Sequence, residues 1–392
     1  MKKGWVIKRL PEIAEYFIGL TYSPKDVGNK GTIVLRSSNV QNDELDLSDL
    51  VRVTCSVKKP LHVRKGDILM CSRNGSKRLV GKTAVIGDLP EEMTFGTFMT
   101  VIRSELNPYL SWFFRSEAFR DQIGVGENTM INQITKYMLD VIRVPFPPLA
   151  EQQRIVGLLD EAFEGLATAK ANADKNLQNA RALFESHIQA VFTQRGPGWV
   201  EKPLGEALVK TETTDPTRSP QTEFDYIDVS SVSKETLAIQ ETQRLQGKDA
   251  PSRARKLVRT NDVIFATIRP TLRRIAIVPD ELDSQVCSTG YFVLRAKPDM
   301  DHRLVFYFLQ TETFMTAMET LQKGASYPAV TDGDVRLQTI PIPPLNEQKT
   351  IAAKLESLRE ETQRLTRLYE QKHVALEALK KSLLHQAFTG EL

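Results

Sequence analysis

Two clusters of basic residues carry the side chains best suited to bind a polyanion. Residues 58–82 hold eight lysines and arginines against one acid, Asp67, and residues 253–274 hold seven against Asp262. Since the whole chain has a formal net charge of only +3, the remainder is acidic overall. A single basic cluster is more often a solvated loop. Two such clusters on an otherwise acidic chain indicate nucleic-acid binding.

The residue types in both clusters suit the reading of DNA. Arginine can donate two hydrogen bonds to guanine and asparagine can recognise adenine, whereas serine and lysine suit phosphates. The first cluster offers Arg73, Asn74, Ser76, Lys77, Arg78 and Lys82. The second offers Arg253, Arg255, Lys256, Arg269, Thr271, Arg273 and Arg274, with Tyr327 as a weaker candidate from a later segment. We expect these residues to form a DNA-binding surface.

Motifs for catalysis, metals and cofactors are poorly supported. Gly81-Lys82-Thr83 matches the end of a phosphate-binding P-loop, but Ser76 stands where its first glycine is needed. Asn107-Pro108-Tyr109 lacks the second proline of the amino-methyltransferase tetrapeptide. The three cysteines form no CxxC pair, and the sequence has no HExxH or GxSxG. We therefore expect no catalytic residue, no metal site and no cofactor bound by this chain.

An internal repeat divides the chain into two halves. Residues 144–149 read Val-Pro-Phe-Pro-Pro-Leu and residues 340–345 read Ile-Pro-Ile-Pro-Pro-Leu. A Glu-Gln pair follows each motif, and the two basic clusters occupy equivalent places in the halves. The repeat predicts two copies of one domain plus one connecting element, which makes the chain a covalent pseudo-dimer.

Each repeat ends in a segment with strong helix-forming composition. Residues 149–194 contain no proline and two glycines, and residues 345–389 contain neither. Apolar residues recur at steps of four and three, which predicts a heptad seam and supercoiled packing of the two helices on each other. The seams include the polar Asn176 and Lys372, whose role could be to fix the register. We expect the pair to be antiparallel.

The predicted architecture is α+β, with two similar α/β domains and two long helices related by a pseudo-twofold axis. The domains would span residues 1–146 and 197–342, and the helices residues 147–196 and 343–392. Single helices are predicted over Tyr109–Gln122 and Arg303–Thr320, with their aromatic residues in the core. Since no apolar run reaches the ~20 residues of a membrane span and no secretory signal is evident, we expect a cytoplasmic location.

The paired motifs resemble those of the specificity (S) subunit of type I restriction-modification systems. The segments that carry the resemblance are Pro145–Ile155 and Pro341–Ile351, the strands that begin at Gly66-Asp67 and Asn261-Asp262, and Gln386–Gly390. The resemblance spans the whole chain. Gln194 stands where the second repeat has Gly390, so the first helix could continue to Gly196.

This resemblance implies two target recognition domains, each reading one half of a bipartite double-stranded DNA site. The antiparallel helices would set the spacing and bind two methyltransferase subunits, and restriction-translocase subunits would complete the complex. S-adenosylmethionine would be bound by the methyltransferase subunits. Two other functions stay open from the residues alone: an autonomous DNA-binding regulator and a methyltransferase with degenerate motifs.

Overall fold

The computed structural model describes residues 2–124, 132–194 and 196–392. They form two compact units. The first combines the chain through Asn172 with Gln371–Leu392, and the second is Ala173–Glu370. Each unit therefore holds one globular segment and a part of both long helices.

The first unit is built on two four-stranded sheets. Its strands are β1 (Val6–Arg9), β2 (Glu15–Ile18), β3 (Val27–Gly28), β4 (Thr32–Leu35), β5 (Val40–Gln41), β6 (Glu44–Leu45), β7 (Val51–Val53), β8 (Ile68–Cys71), β9 (Thr83–Val85), β10 (Met93–Phe95), β11 (Met99–Arg103) and β12 (Arg143–Phe146). One sheet has the order β2-β11-β8-β9 and is antiparallel. The other has the order β10-β4-β7-β3, in which β10 and β4 are parallel.

The second unit repeats this plan. Its strands are β13 (Val200–Pro203), β14 (Leu208–Val209), β15 (Glu223–Ile227), β16 (Gln243–Gln246), β17 (Ala254–Leu257), β18 (Val263–Ala266), β19 (Ile275–Ile277), β20 (Val286–Ser288), β21 (Tyr291–Ala296) and β22 (Thr339–Ile342). The sheet β14-β21-β18-β19 matches β2-β11-β8-β9, and β20 and β15 form the parallel pair. The predicted α+β repeat is confirmed.

Short helices cover these sheets, and their aromatic residues form the cores as predicted. They are α1 (Asn107–Arg115), α2 (Glu117–Gln122) and α3 (Lys136–Val141) in the first unit, and α5 (His302–Phe308), α6 (Glu312–Leu321) and α7 (Asp332–Arg336) in the second. The two single helices that we predicted are each broken in two. The Ser116 hydroxyl donates to the Phe113 carbonyl and the Thr311 hydroxyl to the Phe308 carbonyl. Such side-chain bonds offer the backbone an alternative to a continuous helix.

The two long helices are α4 (Leu149–Thr193) and α8 (Leu345–Thr389). At 1.5 Å per residue each is about 67 Å long. The prediction that α4 continues to Gly196 is wrong, since the helix ends at Thr193. None of the helices in the described ranges combines the length and apolarity that a membrane span needs.

Within the first unit, α4 and α8 run antiparallel. Leu159 of α4 packs in the same core as Phe388 of α8. Further along α4, Lys170 forms a 3.8 Å ion pair with Glu377, which lies earlier on α8. In the second unit the end of α4 shares a core with Leu355. The predicted packing of the two helices on each other is therefore present in both units.

The buried stripe of each helix departs from the predicted heptad seam. Asn176, Leu183 and His187 lie on the exposed side of α4, as do Lys372 and Leu379 on α8. On α4 the less exposed positions after Ala173 are 177, 180, 184 and 188. They keep the predicted position 180 but replace 176, 183 and 187 by the residue that follows each. A straight helix has 3.6 residues per turn, so its contact stripe drifts away from a strict 3.5-residue repeat. Asn176 and Lys372 are exposed beside this stripe, so the prediction that they lie in the helix seam is wrong.

A buried glutamine anchors the start of each long helix to its globular segment. Gln152 donates to the Pro147 carbonyl at 2.8 Å, and Gln348 donates to the Pro343 carbonyl at 2.9 Å. Gln348 also accepts from the Asp301 backbone N–H. The glutamine of the repeated Glu-Gln motif is therefore explained by helix attachment.

A buried ion pair recurs in the two equivalent sheets. Arg103, at the end of β11, donates two hydrogen bonds of 2.8 and 2.6 Å to Asp67, just before β8. Arg295 makes the same pair with Asp262, at 2.8 and 2.9 Å. Each carboxylate also accepts a backbone N–H three residues earlier in the chain. The two acids in the basic clusters thus have a structural function.

Replacing Asp67 by alanine should reduce the free energy of unfolding by about 3–5 kcal/mol, because Arg103 would lose its buried counter-charge. The control is Asp88→Ala, which removes the exposed ion pair with Lys65 and should cost about 0–1 kcal/mol. Urea unfolding followed by tryptophan fluorescence measures both changes. Equal losses in the two variants would contradict the structural role of the buried pair.

Candidate nucleic-acid interface

The first candidate loop follows β8 and is held from two sides. The backbone N–H groups of Ser72 and Arg73 donate to the Phe98 carbonyl at 2.9 and 3.0 Å. On the other side Ile134 N–H donates to the Ser72 carbonyl at 2.6 Å, and Asn74 N–H donates to the carbonyl of residue 132. The loop is therefore fixed by backbone bonds that do not depend on its own side chains.

The second candidate loop follows β18 in the same backbone frame. Thr267 N–H donates to the Gly290 carbonyl at 2.8 Å, and Val330 N–H donates to the Thr267 carbonyl at 2.9 Å. Arg269 N–H donates to the Pro328 carbonyl at 2.7 Å. These bonds make Gly290 the equivalent of residue 98, and Arg269 the equivalent of residue 74. The two frames agree while their side chains differ.

The candidates of the first cluster divide into two groups. Arg73 and Ser76 are exposed near the tip of the loop, where Asn74 donates to the Ser37 hydroxyl at 3.0 Å and accepts from Ser76 N–H. Lys77, Arg78 and Lys82 instead line a cleft of about 1160 Å³. Basic and acidic side chains both line this cleft; they include Lys380, Lys381, Asp43, Asp160 and Glu377.

Three candidates of the second cluster are exposed, namely Arg253, Arg269 and Thr271. The Arg269 guanidinium carbon lies 5.3 Å from the ring centre of Tyr327, which is itself exposed. Arg273 is half-buried and forms a 3.8 Å ion pair with Glu185. The structure therefore brings Arg269 and Tyr327 together, which the sequence did not indicate.

The other three candidates make internal contacts. Lys256 donates to the Tyr291 carbonyl at 2.6 Å and to the Asp332 carboxylate at 2.8 Å. Arg274 donates to the Val229 and Val232 carbonyls, and Arg255 forms a 3.5 Å ion pair with Asp215. These cations hold neighbouring segments together in the free protein. No sequence signal separates them from the exposed cations, because their partners are distant in the chain.

The loop after β18 has unusual backbone geometry. Arg269 and Arg273 both adopt left-handed conformations, with φ values of 51° and 52°, on either side of the turn Pro270–Leu272. Such conformations cost about 1–3 kcal/mol each for residues other than glycine. The loop is therefore held in a shape that its own residues do not favour. Within the described ranges, no cluster of three histidine, cysteine or carboxylate residues could hold a metal ion.

Comparison with known proteins identifies the fold and the family of the chain. The family model described as "Type I restriction modification DNA specificity domain" matches twice, over residues 2–175 and 198–375.

The chain belongs to this family. As a member of the type I DNA specificity family, it supplies the DNA-sequence specificity of a restriction-modification system. The expectation of a non-catalytic DNA-recognition subunit is confirmed, and the partners are DNA and other components of such a system.

Individual relatives agree along the whole chain. The EcoKI specificity subunit of Escherichia coli strain K12 is 24% identical, and the alignment covers all of this chain and 90% of the relative. The StySPI specificity subunit of Salmonella potsdam is 23% identical with the same coverage. The HsdS subunit from Thermoanaerobacter tengcongensis shares the fold, with a TM-score of 0.63, 19% identity and coverage of 100% and 98%. A chain from a study of type I R-M complex assembly gives a TM-score of 0.76 at 19% identity, with coverage of 100% and 99%.

The sequence of this specificity-family chain did not indicate that Phe98 and the segment 132–134 contact the first loop. Phe98 is 52% exposed, and its ring centre lies 5.3 Å from the Arg73 guanidinium carbon. It lies outside both basic clusters. An aromatic residue in a short turn before a buried strand is a weak signal, so only the fold brings Phe98 to the loop.

Thiol reactivity should report on the closure of the first loop. Burial raises the pKa of the Cys71 thiol, directly before the loop, to about 11, and burial raises the pKa of the Cys287 thiol to about 12. Because the thiolate is the reactive form, a thiol reagent at pH 8 should modify only the half-buried Cys55 before unfolding. In the control variant Cys55→Ser the fast reaction should disappear. Rapid labelling of that variant would show that the strand end opens in the native protein.

Proposed function

We propose that each unit reads one half of a bipartite DNA site, using the loop after β8 in the first unit and the loop after β18 in the second. The observation that supports this most is the shared backbone frame with different exposed side chains. The first loop presents Arg73 and Asn74, whereas the equivalent positions of the second hold Ile268 and Arg269. Two readers of different half-sites need this combination of constant frame and variable side chains.

The remaining cations of the two clusters have less direct roles in this proposal. Ser76, Arg253 and Thr271 would contact the DNA backbone beside the reading positions. Lys77, Arg78 and Lys82 would raise the local positive potential from the cleft wall. Lys256, Arg255 and Arg274 would hold the loops in place through their internal bonds.

The long helices would set the distance between the half-sites and dock the partner subunits. We assign residues 1–146 and 197–342 to the two target recognition domains, and residues 147–196 and 343–392 to the spacer helices. Two methyltransferase subunits that carry S-adenosylmethionine would bind along the helices, and restriction-translocase subunits would complete the complex in the cytoplasm. Exposed apolar residues on the helices, such as Leu158, Leu183 and Val374, offer contact area for these partners.

Replacing Arg73 or Arg269 by alanine should each affect one half-site only. If the arginine reads a base, about 1–3 kcal/mol of discrimination should be lost at one position, while the other half-site is unchanged. The measurement is binding of the assembled methyltransferase complex to a panel of DNA sites with single base-pair changes.

Arg9→Ala and Lys202→Ala are matched controls, because each removes one exposed positive charge from equivalent two-stranded sheets, β1-β12 in the first unit and β13-β22 in the second. They should leave discrimination at every position intact. If Arg73→Ala lowered the binding affinity equally for all DNA sequences, Arg73 would contact a phosphate. If neither loop variant changed binding, the loops would not be the reading surface.

Lengthening both helices should lengthen the unread spacer. Four residues inserted after the exposed Asn172 in α4 and after the exposed Gln371 in α8 add about 6 Å to each helix. Since base pairs are about 3.4 Å apart, the spacer should grow by one or two base pairs with both half-sites unchanged. Methylation mapping of cells that carry the variant measures the change.

The control replaces residues 169–172 by the inserted sequence and leaves the helix length unchanged. Its recognition site should equal that of the wild type. An active insertion variant with an unaltered spacer would show that the helices do not measure the site.

A further inference from the structure

Each candidate loop presents an arginine stacked on an exposed aromatic ring. The guanidinium carbon of Arg73 lies 5.3 Å from the ring centre of Phe98, and that of Arg269 lies 5.3 Å from the ring centre of Tyr327. Both distances fall within the ~6 Å range of a cation–π contact. Elsewhere in the described chain arginines also lie over rings, but those rings, Phe17, Trp112, Phe292 and Phe306, are buried or half-buried.

The two stacked pairs come from positions that are not equivalent in the repeat. The backbone frame equates Phe98 with Gly290 and Arg269 with Asn74. In contrast, the buried Asp–Arg pairs that hold the sheets recur at equivalent positions. A contact required by the shared fold would be expected at the same place in both units. The arginine–ring pairs are therefore features specific to each unit and are not required by the shared fold.

Geometry explains why the second unit takes its ring from another loop. A Cβ atom at Gly290 would lie 2.7 Å from the Cγ2 atom of Val229, so an aromatic side chain cannot stand there without displacing Val229. Tyr327 instead comes from the segment whose backbone pairs with the loop, next to Pro328. Its exposed fraction is 73%, so the contact contributes little to folding.

The edges of both guanidinium groups stay available. No carboxylate of the described residues lies within ion-pair distance of either arginine, and among these residues the Arg269 guanidinium has one hydrogen-bond acceptor, the Ser326 carbonyl at 3.5 Å. A guanidinium that rests with its face on a ring keeps its N–H edge free. A planar N–H edge of this kind matches the two acceptors of guanine in the major groove, O6 and N7.

We propose that Phe98 and Tyr327 are positioning residues that hold Arg73 and Arg269 in the orientation that reads a guanine, one in each half-site. This proposal rests on the proposed function of the two loops. A ring that fixes the guanidinium plane before binding reduces the ordering that DNA binding requires. The ring thus increases discrimination between base pairs and leaves the general attraction to DNA unchanged.

The test compares Phe98→Leu with the conservative variant Phe98→Tyr, and Tyr327→Leu with Tyr327→Phe, in the assembled methyltransferase complex. Binding is measured on sites with each base pair changed in turn. Each leucine variant should lose discrimination about two- to fivefold at a single G·C pair of one half-site, and each ring-retaining variant should keep it. Binding to DNA without a site should be unchanged, since no charge is removed.

Arg73→Lys and Arg269→Lys complete the test. These variants keep the positive charge and lose the planar N–H edge. Each should therefore reduce discrimination at the same G·C pair by at least about fivefold. If the lysine variants relax a base pair while the leucine variants behave as the wild type, the rings do not position the arginines, although the loops still read DNA. Relaxation at an A·T pair would overturn guanine as the target. If neither alanine nor lysine variants of the arginines affect any position, the function proposed for the loops fails as well.

Discussion

In each unit, a buried carboxylate at the start of a central strand fixes the pairing of the sheet that carries the candidate loop. Asp67 and Asp262 each accept two hydrogen bonds from the arginine at the C-terminal end of the neighbouring antiparallel strand. Each accepts a third from the backbone N–H three residues earlier. A buried charge is tolerated only when its partners are in place, so the pair fixes the register of the two strands. Because the strand that starts at this carboxylate ends at the loop proposed to read DNA, the position of the loop depends on it.

The buried pair and the loop lie at opposite ends of the same two strands. In the first unit Ile102 faces Ile68 near the pair, and Met99 faces Cys71 next to the loop. The second unit has the same order, with Leu294 opposite Val263 and Tyr291 opposite Ala266. The residues that specify the fold and the residues proposed to read DNA are thereby separated by four pairs of buried strand residues. Side chains at the loop end can differ between the units without changing the frame that carries them.

Much of the architecture could be predicted from local sequence. The proline motifs, the Glu-Gln pairs and the proline-free segments after them indicate two long helices, and α8 ends at Thr389 as expected. The phase of their contact stripes could not be predicted, because it depends on how far each helix departs from 3.5 residues per turn. The breaks at Ser116 and Thr311 were missed for a related reason, since helical propensity is a weak guide where a side-chain hydroxyl can bond the backbone.

The candidate site was predictable only as two segments of chain. Composition indicates which loops are basic, but not which cations are already bonded inside the protein. Lys256 and Asp332 are 76 residues apart in sequence, and Arg274 and Val229 are 45 apart. Phe98 was missed because its contact with Arg73 is created by the pairing of β8 with β11. Tertiary contacts of this length are the part of the site that local patterns do not encode.

The division of the chain between the two units has a consequence for synthesis. The second unit is one continuous segment, whereas the first needs Gln371–Leu392 to complete its core, in which Phe388 packs against Phe113 and Tyr109. During synthesis the first unit can therefore complete its core only after Gln371–Leu392 has been made, and until then the apolar residues that this segment covers are exposed. Contacts between such distant segments slow folding and expose surface that aggregates. The second unit meets no such delay, so of the two units the one whose synthesis starts earlier is completed later.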